Sequence, residues 1–318
     1  MSAGARAAVI AAAAVVVAVL PLVVRSGYVL GMLVFIALYG LAALGLSLVM
    51  GFAGQVSLGQ AAFFAVGAYV SGVLTASYGW NGWAALALAV AAGALTALAI
   101  GLPVFRLSGL LLAMATLGFG IIVYYVLVNW TDVTGGPSGL IGVPPLALGA
   151  FRFDTDGRML WLAWGALLAV LALAGNVVDS RIGRALRAVH GSEAAAQAVG
   201  IDTARLKLAV FAAAGAVTAL AGALYAHYVT FINPSPFGFA FSVELVVMVV
   251  LGGAASLWGA VLGAAVVVLL VEALRAALPL LTAGHGAAEY EIALFGLVLM
   301  LFMIFLPAGV SGVVRRSA

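Results

Sequence analysis

Two glutamines and a serine cluster in a chain that is otherwise poor in polar side chains. Gln55, Ser57 and Gln60 stand in the stretch GFAGQVSLGQ at 51–60, together with three glycines. Amide and hydroxyl groups donate and accept hydrogen bonds. Glycines that interrupt an apolar pattern free backbone groups, which must be satisfied by protein or by a water-filled cavity. The stretch is therefore consistent with a broken element that lines a polar path, and equally with a turn followed by a tightly packed helix.

Two further polar residues inside apolar runs complete a candidate polar path. Thr116 lies in the run at 109–130, and Glu244 lies in a short run at 241–252. Glu244 is close to the predicted beginning of its helix, where the helix dipole favours a carboxylate. Its interpretation stays open between an interfacial carboxylate and a residue that gates the path or positions a bound molecule.

Residue types that would support catalysis or metal binding are missing from the sequence. It contains no Cys, no HExxH motif and no GxxxxGK[ST] motif, and Lys207 is its only lysine. The three histidines, His190, His227 and His285, do not have ligand-like spacing. We therefore predict no catalytic residue, no metal site and no cofactor. An ion-coupled secondary transporter is disfavoured, because it would need intramembrane carboxylates or histidines that are scarce here.

The segment 180–207 is the clearest stretch outside the apolar runs. Its arginines at 181, 184 and 187 are three residues apart and would lie along one side of a helix. Ser192 is a good N-cap for a short Ala-rich helix over 193–199, and Gly200 is a good terminator. Such a capped helix could insert into a groove of another protein, whereas the arginines alone would suit anionic lipid head groups.

The composition indicates that membrane-spanning helices position these residues. Of 318 residues, 66% are hydrophobic and 7% are charged, whereas soluble domains have about 25% charged residues. Continuous apolar runs predict an all-α polytopic transmembrane helical bundle of about eight to ten spans, as a single domain over 1–318. The predicted spans are 7–24, 28–50, 58–78, 83–102, 109–130, 159–178, 206–230, 241–252, 257–275 and 290–307. The run at 241–252 is too short to cross and predicts a half-helix that turns back at Gly252-Gly253.

Charge predicts the orientation of the bundle, with both termini cytoplasmic. In that orientation the cytoplasmic side carries nine Lys and Arg residues and the outer side carries four, as the positive-inside rule requires. The nine are Arg6, Arg106, Arg181, Arg184, Arg187, Arg205, Lys207, Arg315 and Arg316, and the four are Arg25, Arg152, Arg158 and Arg275. The segment 180–207 is then cytoplasmic and 131–158 is an outer loop. The net charge of +3 reflects this topology and gives no sign of nucleic-acid binding. The first run could also be a signal peptide, but its length favours a span.

Five stretches in order resemble a known family. They are GFAGQVSLGQAAFFAVGAY at 51–69, LSGLLLAMATLGFG at 107–120, TGGPSGL at 134–140, SRIGRALRAVHGSEAAAQAVGID at 180–202 and SVELVVMVVLGGAASLWGAVLGA at 242–264. They are spread between 51 and 264, and the resemblance as a whole extends over nearly everything except the first 25 and last 45 residues. The chain resembles the LivM-type permease subunits of bacterial branched-chain amino-acid ABC importers. It departs from the pattern at Gln60, where many relatives carry His, and at GGAAS, where GGxGT or GGxGS is common.

The resemblance implies a type II importer-like bundle in the bacterial plasma membrane. It implies a second, LivH-type permease, two cytoplasmic ATPase subunits and an extracytoplasmic solute-binding protein, so the missing ATP-binding motif would be supplied by partners. The family's coupling helix maps onto Glu193, Ala194, Ala195 and Gly200, with Arg184 in the preceding turns. The same permease type also serves urea, short amides and other amino acids, so the solute stays open.

Overall fold

The computed structural model describes residues 3–105, 107, 109–281, 296, 297, 300 and 309. Most of them are helical, as the apolar runs predict. The helices are α1 (Ala3–Val23), α2 (Gly27–Ser47), α3 (Gln60–Ala76), α4 (Gly82–Val104), α5 (Leu110–Asn129), α6 (Thr131–Thr134), α7 (Asp156–Asp179), α8 (Arg181–Gly191), α9 (Glu193–Ala198), α10 (Thr203–Val229), α11 (Phe239–Gly252) and α12 (Leu257–Leu281).

Six helical segments in the described part of the chain are long and apolar enough to cross a membrane. They are Gly27–Phe52, Gly82–Val104, Leu110–Asn129, Asp156–Asp179, Thr203–Val229 and Leu257–Ala277. Three shorter apolar helices, Ala8–Val23, Gln60–Ala76 and Phe239–Gly252, coincide with the predicted spans at 7–24, 58–78 and 241–252. The polytopic helical bundle is therefore confirmed. The predicted span 290–307 falls almost entirely outside the described residues, as do Arg106, Arg315, Arg316 and His285.

The centre of the bundle is built on very close backbone approaches between α3, α4 and α10. A Cβ atom added at Gly67 would lie 2.0 Å from the carbonyl oxygen of Ala219, and one at Gly222 would lie 1.9 Å from that of Phe64. On α4, a Cβ added at Gly93 would meet the backbone of Gly215. Only small residues permit this separation of helix backbones within a membrane.

The predicted break at 51–60 is present. It consists of a π-helical turn, a non-helical stretch and the beginning of α3. α2 continues into a π-helical turn, Leu48–Phe52, which is followed by non-helical residues up to Gly59. Gly54 has φ of +68°, a backbone conformation that favours glycine. α3 then begins at Gln60 and has 17 residues, so it is shorter than the predicted span at 58–78. A single turn of π-helix often marks a functional site.

α11 is the predicted half-helix, with 14 residues that end at Gly252. Gly253 has φ of +102°, which lets the chain reverse and lead into α12. The turn between the two helices lies against the break, because the Ser47 hydroxyl donates to the carbonyl oxygen of Ala254 at 2.9 Å. The end of α2 is thereby tied to the end of α11.

The loop at 131–158 is ordered by short strands. β1 (Leu140–Ile141) pairs antiparallel with β4 (Phe231–Ile232), and β2 (Ala147–Leu148) pairs with β3 (Phe151–Arg152). The β1–β4 pair joins this loop to the connection between α10 and α11. His227 at the end of α10 adds a second tie through its ring nitrogens, which lie 2.7 Å from the Pro144 carbonyl oxygen and 2.8 Å from the Ser71 hydroxyl.

Candidate functional site

The helix break is held by side-chain hydroxyls from two other helices. The Leu58 N–H donates to Thr116 Oγ1 on α5 at 3.0 Å, and the Ala61 N–H donates to Ser242 Oγ on α11 at 3.1 Å. Ser57, Thr116 and Ser242 are all buried. Ser57 Oγ accepts from the Gly59 N–H at 3.5 Å. Ser57, Thr116 and Ser242 therefore each satisfy a backbone group freed by the break.

Gln60 is the most deeply buried member of this cluster, with 0% of its surface exposed. Its Oε1 accepts a hydrogen bond from the Thr218 hydroxyl on α10 at 3.1 Å. Its Nε2 has no hydrogen-bond partner in the described structure. An unpaired buried amide is costly, by about 1–3 kcal/mol. The Gln60 Nε2 group at the beginning of α3 can therefore donate a hydrogen bond to a further acceptor.

Gln55 lies apart from this buried cluster. It is half-buried, and its Nε2 donates to the Ala53 carbonyl oxygen at 3.3 Å. The neighbouring Gly54 lies against α8, where an added Cβ would be 3.2 Å from the ring of His190. The break therefore connects the segment 180–207 at one end with the buried Gln60 at the other.

Glu244 does not join the cluster and lines a cavity of about 610 Å³ instead. One face of α2 borders the cavity from Gly27 to Tyr39, a length of about three turns. Asp156 at the beginning of α7 and Glu272 on α12 line it as well. Since α7 begins within the last residues of the segment 131–158, the cavity lies at the end of the bundle that carries this loop.

The polar groups of this cavity are arranged in pairs. The Tyr228 hydroxyl donates to Asp156 Oδ1 at 2.8 Å, and the Tyr28 hydroxyl donates to Glu272. Arg275 lies 3.9 Å from the other carboxylate oxygen of Glu272. With Glu244, three acidic side chains and one guanidinium line the cavity, so groups of both charge types face it.

The arginines of the segment 180–207 do lie along α8, and two of them cap α7. Arg184 donates to the carbonyl oxygen of Asp179 at 3.4 Å, and Arg187 donates to that of Val178 at 3.1 Å. The last carbonyls of a helix have no partner within the helix, and a cation there also complements the helix dipole. Arg184 and Arg187 therefore both link α8 to the last turn of α7.

The short capped helix is confirmed as α9. Ser192 Oγ accepts from the Ala195 N–H at 3.3 Å, and Gly200 follows with φ of +84°. Ala194, Ala195 and Val199 are exposed, and Val199 is 75% exposed. α9 therefore presents a small, smooth apolar surface to its surroundings.

Glu193 is only partly exposed, and its carboxylate is bound within the chain. Its Oε2 lies 2.5 Å from Nζ of Lys207, and its Oε1 accepts from the Thr203 hydroxyl at 3.1 Å. The hydrogen bond from Lys207 lowers the pKa of the Glu193 carboxyl below its ordinary value, partly opposed by burial, and the Thr203 bond lowers it further. At neutral pH the carboxylate is therefore charged and bound within the chain.

Several of these partners were not identified from the sequence. Thr218 and Ser242 are isolated hydroxyls within apolar helices, and Thr203 lies in the segment 180–207. Nothing in their spacing relates them to Gln60, to the break or to Glu193. Lys207 did carry a signal, because it is the only lysine in the chain. Among the described residues, no group of three or more His, Cys, Asp or Glu side chains is placed to hold a metal ion.

Comparison with known proteins agrees with this architecture. The family described as the permease component of the branched-chain amino acid transport system matches residues 28–305. The high-affinity branched-chain amino acid transport system permease protein LivM of Salmonella typhimurium is 33% identical over 301 residues, which cover 87% of this chain and 68% of that protein. LivM of Escherichia coli is 32% identical over the same shares.

The second permease type of that transport system is also similar. LivH of Salmonella typhimurium is 28% identical over 296 residues, covering 86% of this chain and 91% of LivH. No solved structure matches the chain significantly. These relatives are membrane permeases and not enzymes, and they indicate a permease pair in an ABC transporter. With six apolar spans in the part of the chain that the structure describes, it is a multi-pass plasma-membrane protein. It belongs to the family of branched-chain amino acid transport system permease components.

Proposed function

We propose that this chain is the LivM-type permease subunit of an ABC importer that moves branched-chain or other hydrophobic amino acids into the cell. The observation that carries the proposal is the exposed, capped helix α9 at one end of a bundle that matches the permease family over residues 28–305. Both termini and the segment 180–207 are cytoplasmic in this proposal, and the loop at 131–158 faces outward.

Four partner subunits complete the proposed importer. A LivH-type permease pairs with this chain in the membrane, and two cytoplasmic ATPases complete the assembly. The coupling set Arg184, Glu193, Ala194, Ala195 and Gly200 links this chain to the ATPases. In this set the exposed alanines touch the ATPase, while Arg184 and Glu193 position α8 and α9 within the chain. A solute-binding protein docks on the outer surface formed by 131–158 and 231–241, which the β1–β4 pair joins.

In the proposed path the solute passes first through the cavity that contains Glu244 and then through the polar cluster at the helix break. The cavity that contains Glu244 receives the solute at the loop end, where charges of both signs suit an amino acid. The cluster of Gln55, Ser57, Gln60 and Thr116 then offers uncharged hydrogen-bonding groups next to the segment 180–207. Beyond the cavity, uncharged groups bind the solute only weakly and therefore allow it to pass.

The ATPase contact can be tested with two matched variants. Val199 on α9 and Ile141 in the outer loop are 75% and 77% exposed, so Asp at either position leaves the core intact. Val199→Asp should abolish co-purification of the ATPase subunits, whereas Ile141→Asp should not. Equal retention of the ATPases by both variants would remove α9 as the docking site.

The solute class is tested by uptake into proteoliposomes that contain the full importer and its binding protein. We expect accumulation of radiolabelled leucine that unlabelled isoleucine and valine suppress. Accumulation of urea or acetamide, with none of leucine, would instead identify the short-amide class that the same permease type serves.

A further inference from the structure

We propose that Glu193, Lys207 and Thr203 form a latch that locks the coupling helix α9 to the beginning of α10, so that the two helices move as one body. The inference rests on the proposed function, because it assigns the means by which ATPase movement enters the membrane. It makes Glu193 a positioning residue that acts through Lys207 and not a contact to the ATPase.

The contacts of Glu193 are directed into the chain. Both carboxylate oxygens are engaged there, one by Lys207 Nζ at 2.5 Å and the other by the Thr203 hydroxyl at 3.1 Å. Gln197, one turn further along α9, donates to the same hydroxyl at 2.9 Å. Two residues of α9 are thus bound to two residues of the first turns of α10.

Burial makes this ion pair different from an ordinary surface pair. The Lys207 side chain is 3% exposed, whereas the Glu193 side chain is 39% exposed. A buried ammonium that loses its counter-ion is strongly destabilised, while exposed pairs contribute little. The Asp202–Arg205 pair of the same segment is of the second kind, with side chains 53% and 90% exposed. Separation of α9 from α10 would therefore be costly, and the two helices stay joined when α9 is displaced.

α10 can carry such a displacement to the candidate path. Lys207 and Thr218 are eleven residues apart on one continuous helix, which corresponds to about three turns or 16 Å. Thr218 donates to Gln60 at the head of α3. A shift of α9 is therefore transmitted through the latch and along α10 to the buried amide at the end of the helix break.

The first measurement tests the latch directly in the assembled importer. The chain is naturally free of cysteine, so Ala198→Cys on α9 and Ala209→Cys on α10, both exposed positions, allow paired spin labels. We expect a narrow distance distribution with Glu193 present and a broad one after Glu193→Gln. Arg205→Gln, which removes the exposed pair, is the matched control and should leave the distribution narrow. An unchanged distribution in Glu193→Gln would overturn the latch whatever the ATPases do.

The second measurement separates coupling from docking. Glu193→Gln and the uncharged double variant Glu193→Gln with Lys207→Met, which leaves no unpaired buried charge, should retain the ATPases and their ATP hydrolysis. Solute uptake per ATP hydrolysed should fall at least tenfold, and the swap Glu193→Lys with Lys207→Glu should restore part of it. Loss of the ATPases from Glu193→Gln, with the spin-label distances unchanged, would show that Glu193 is a docking residue. Failure of Val199→Asp to release the ATPases would count against the proposed function and not against the latch.

Discussion

The Thr218 hydroxyl on α10 and the Gln60 amide oxygen on α3 lie 3.1 Å apart, although 158 positions separate them in the sequence. This hydrogen bond joins the first residue of α3, where the helix break ends, to the middle of α10, the helix that carries Lys207 near its beginning. The break and the segment 180–207 are thereby connected twice, through this bond and through the contact of Gly54 with His190.

Gln60→Leu should reduce uptake without a matching loss of stability. The variant loses one hydrogen bond, worth about 1 kcal/mol, but it also removes the buried Nε2 that has no partner in the described structure, so the melting temperature should change little. If Nε2 serves the solute, uptake should fall about tenfold, the equivalent of about 1.4 kcal/mol. Thr218→Val is the control, and it should lower the melting temperature because Gln60 Oε1 then loses its donor. A parallel fall of stability and uptake in Gln60→Leu would indicate a packing role only.

Gly67→Ala should disrupt the bundle. The added methyl group would lie 2.0 Å from the carbonyl oxygen of Ala219, and neither backbone can move without separating α3 from α10. We expect the free energy of unfolding to fall by about 1–3 kcal/mol, seen as a lower melting temperature and reduced expression. Gly165→Ala on α7, where an added Cβ meets nothing within 4 Å, is the matched control and should be tolerated. Normal stability of Gly67→Ala would contradict the close contact.

Glu244→Gln should lower uptake while assembly is retained. The carboxylate faces a cavity that also holds Asp156 and Glu272, so the substitution reduces the negative charge available to the amino group of a solute. Several-fold weaker uptake is expected. Asp132→Asn, an exposed change in the outer loop, is the control for the loss of one carboxylate elsewhere on that side. Equal uptake by both variants would place the path elsewhere.

Single cysteines should report the orientation of the bundle. Ser138 in the outer loop and Ala198 on α9 are both exposed, and the chain has no cysteine of its own. Ser138→Cys should react with an impermeant maleimide on intact cells, and Ala198→Cys only after permeabilisation, because nine of the thirteen basic residues lie on the predicted cytoplasmic side. The reverse pattern would invert the proposed topology.

The attachment of α9 should weaken at acid pH. The folded state lowers the pKa of Glu193, so this carboxylate contributes stability above its ordinary pKa and loses it as pH falls through the lowered value. Hydrogen exchange over 193–199, corrected for the intrinsic effect of pH, should therefore become faster below about pH 4. In Glu193→Gln the exchange should be fast at every pH. An equal acid response in both proteins would assign it to another group.

Local sequence patterns were sufficient for the apolar helices, although several helix ends differ from the predicted ones by a few residues, as at α3. Apolar runs predict the spans because hydrocarbon accepts only segments that satisfy their own backbone groups, and this holds for each segment separately. Ser192 and Gly200 predict the limits of α9 because their effects are also local. An N-cap and a left-handed terminator act within a few residues of the helix end. The half-helix α11, which ends at Gly252, likewise follows from its length and its glycines.

The roles of the polar residues were decided by tertiary structure. In the sequence, Glu193 has the position of an exposed residue at a helix N-terminus. Only the packing of α10 against α9 brings Lys207 into an ion pair with its carboxylate. Glu244 and Gln60 are both polar residues near helix starts, yet one lines a cavity and the other is fully buried beneath Thr218. A hydrogen bond or an ion pair depends on the partner that another helix supplies, and the helices that meet are chosen by packing across the whole bundle. The sequence of one segment therefore does not predict which helix will supply the partner.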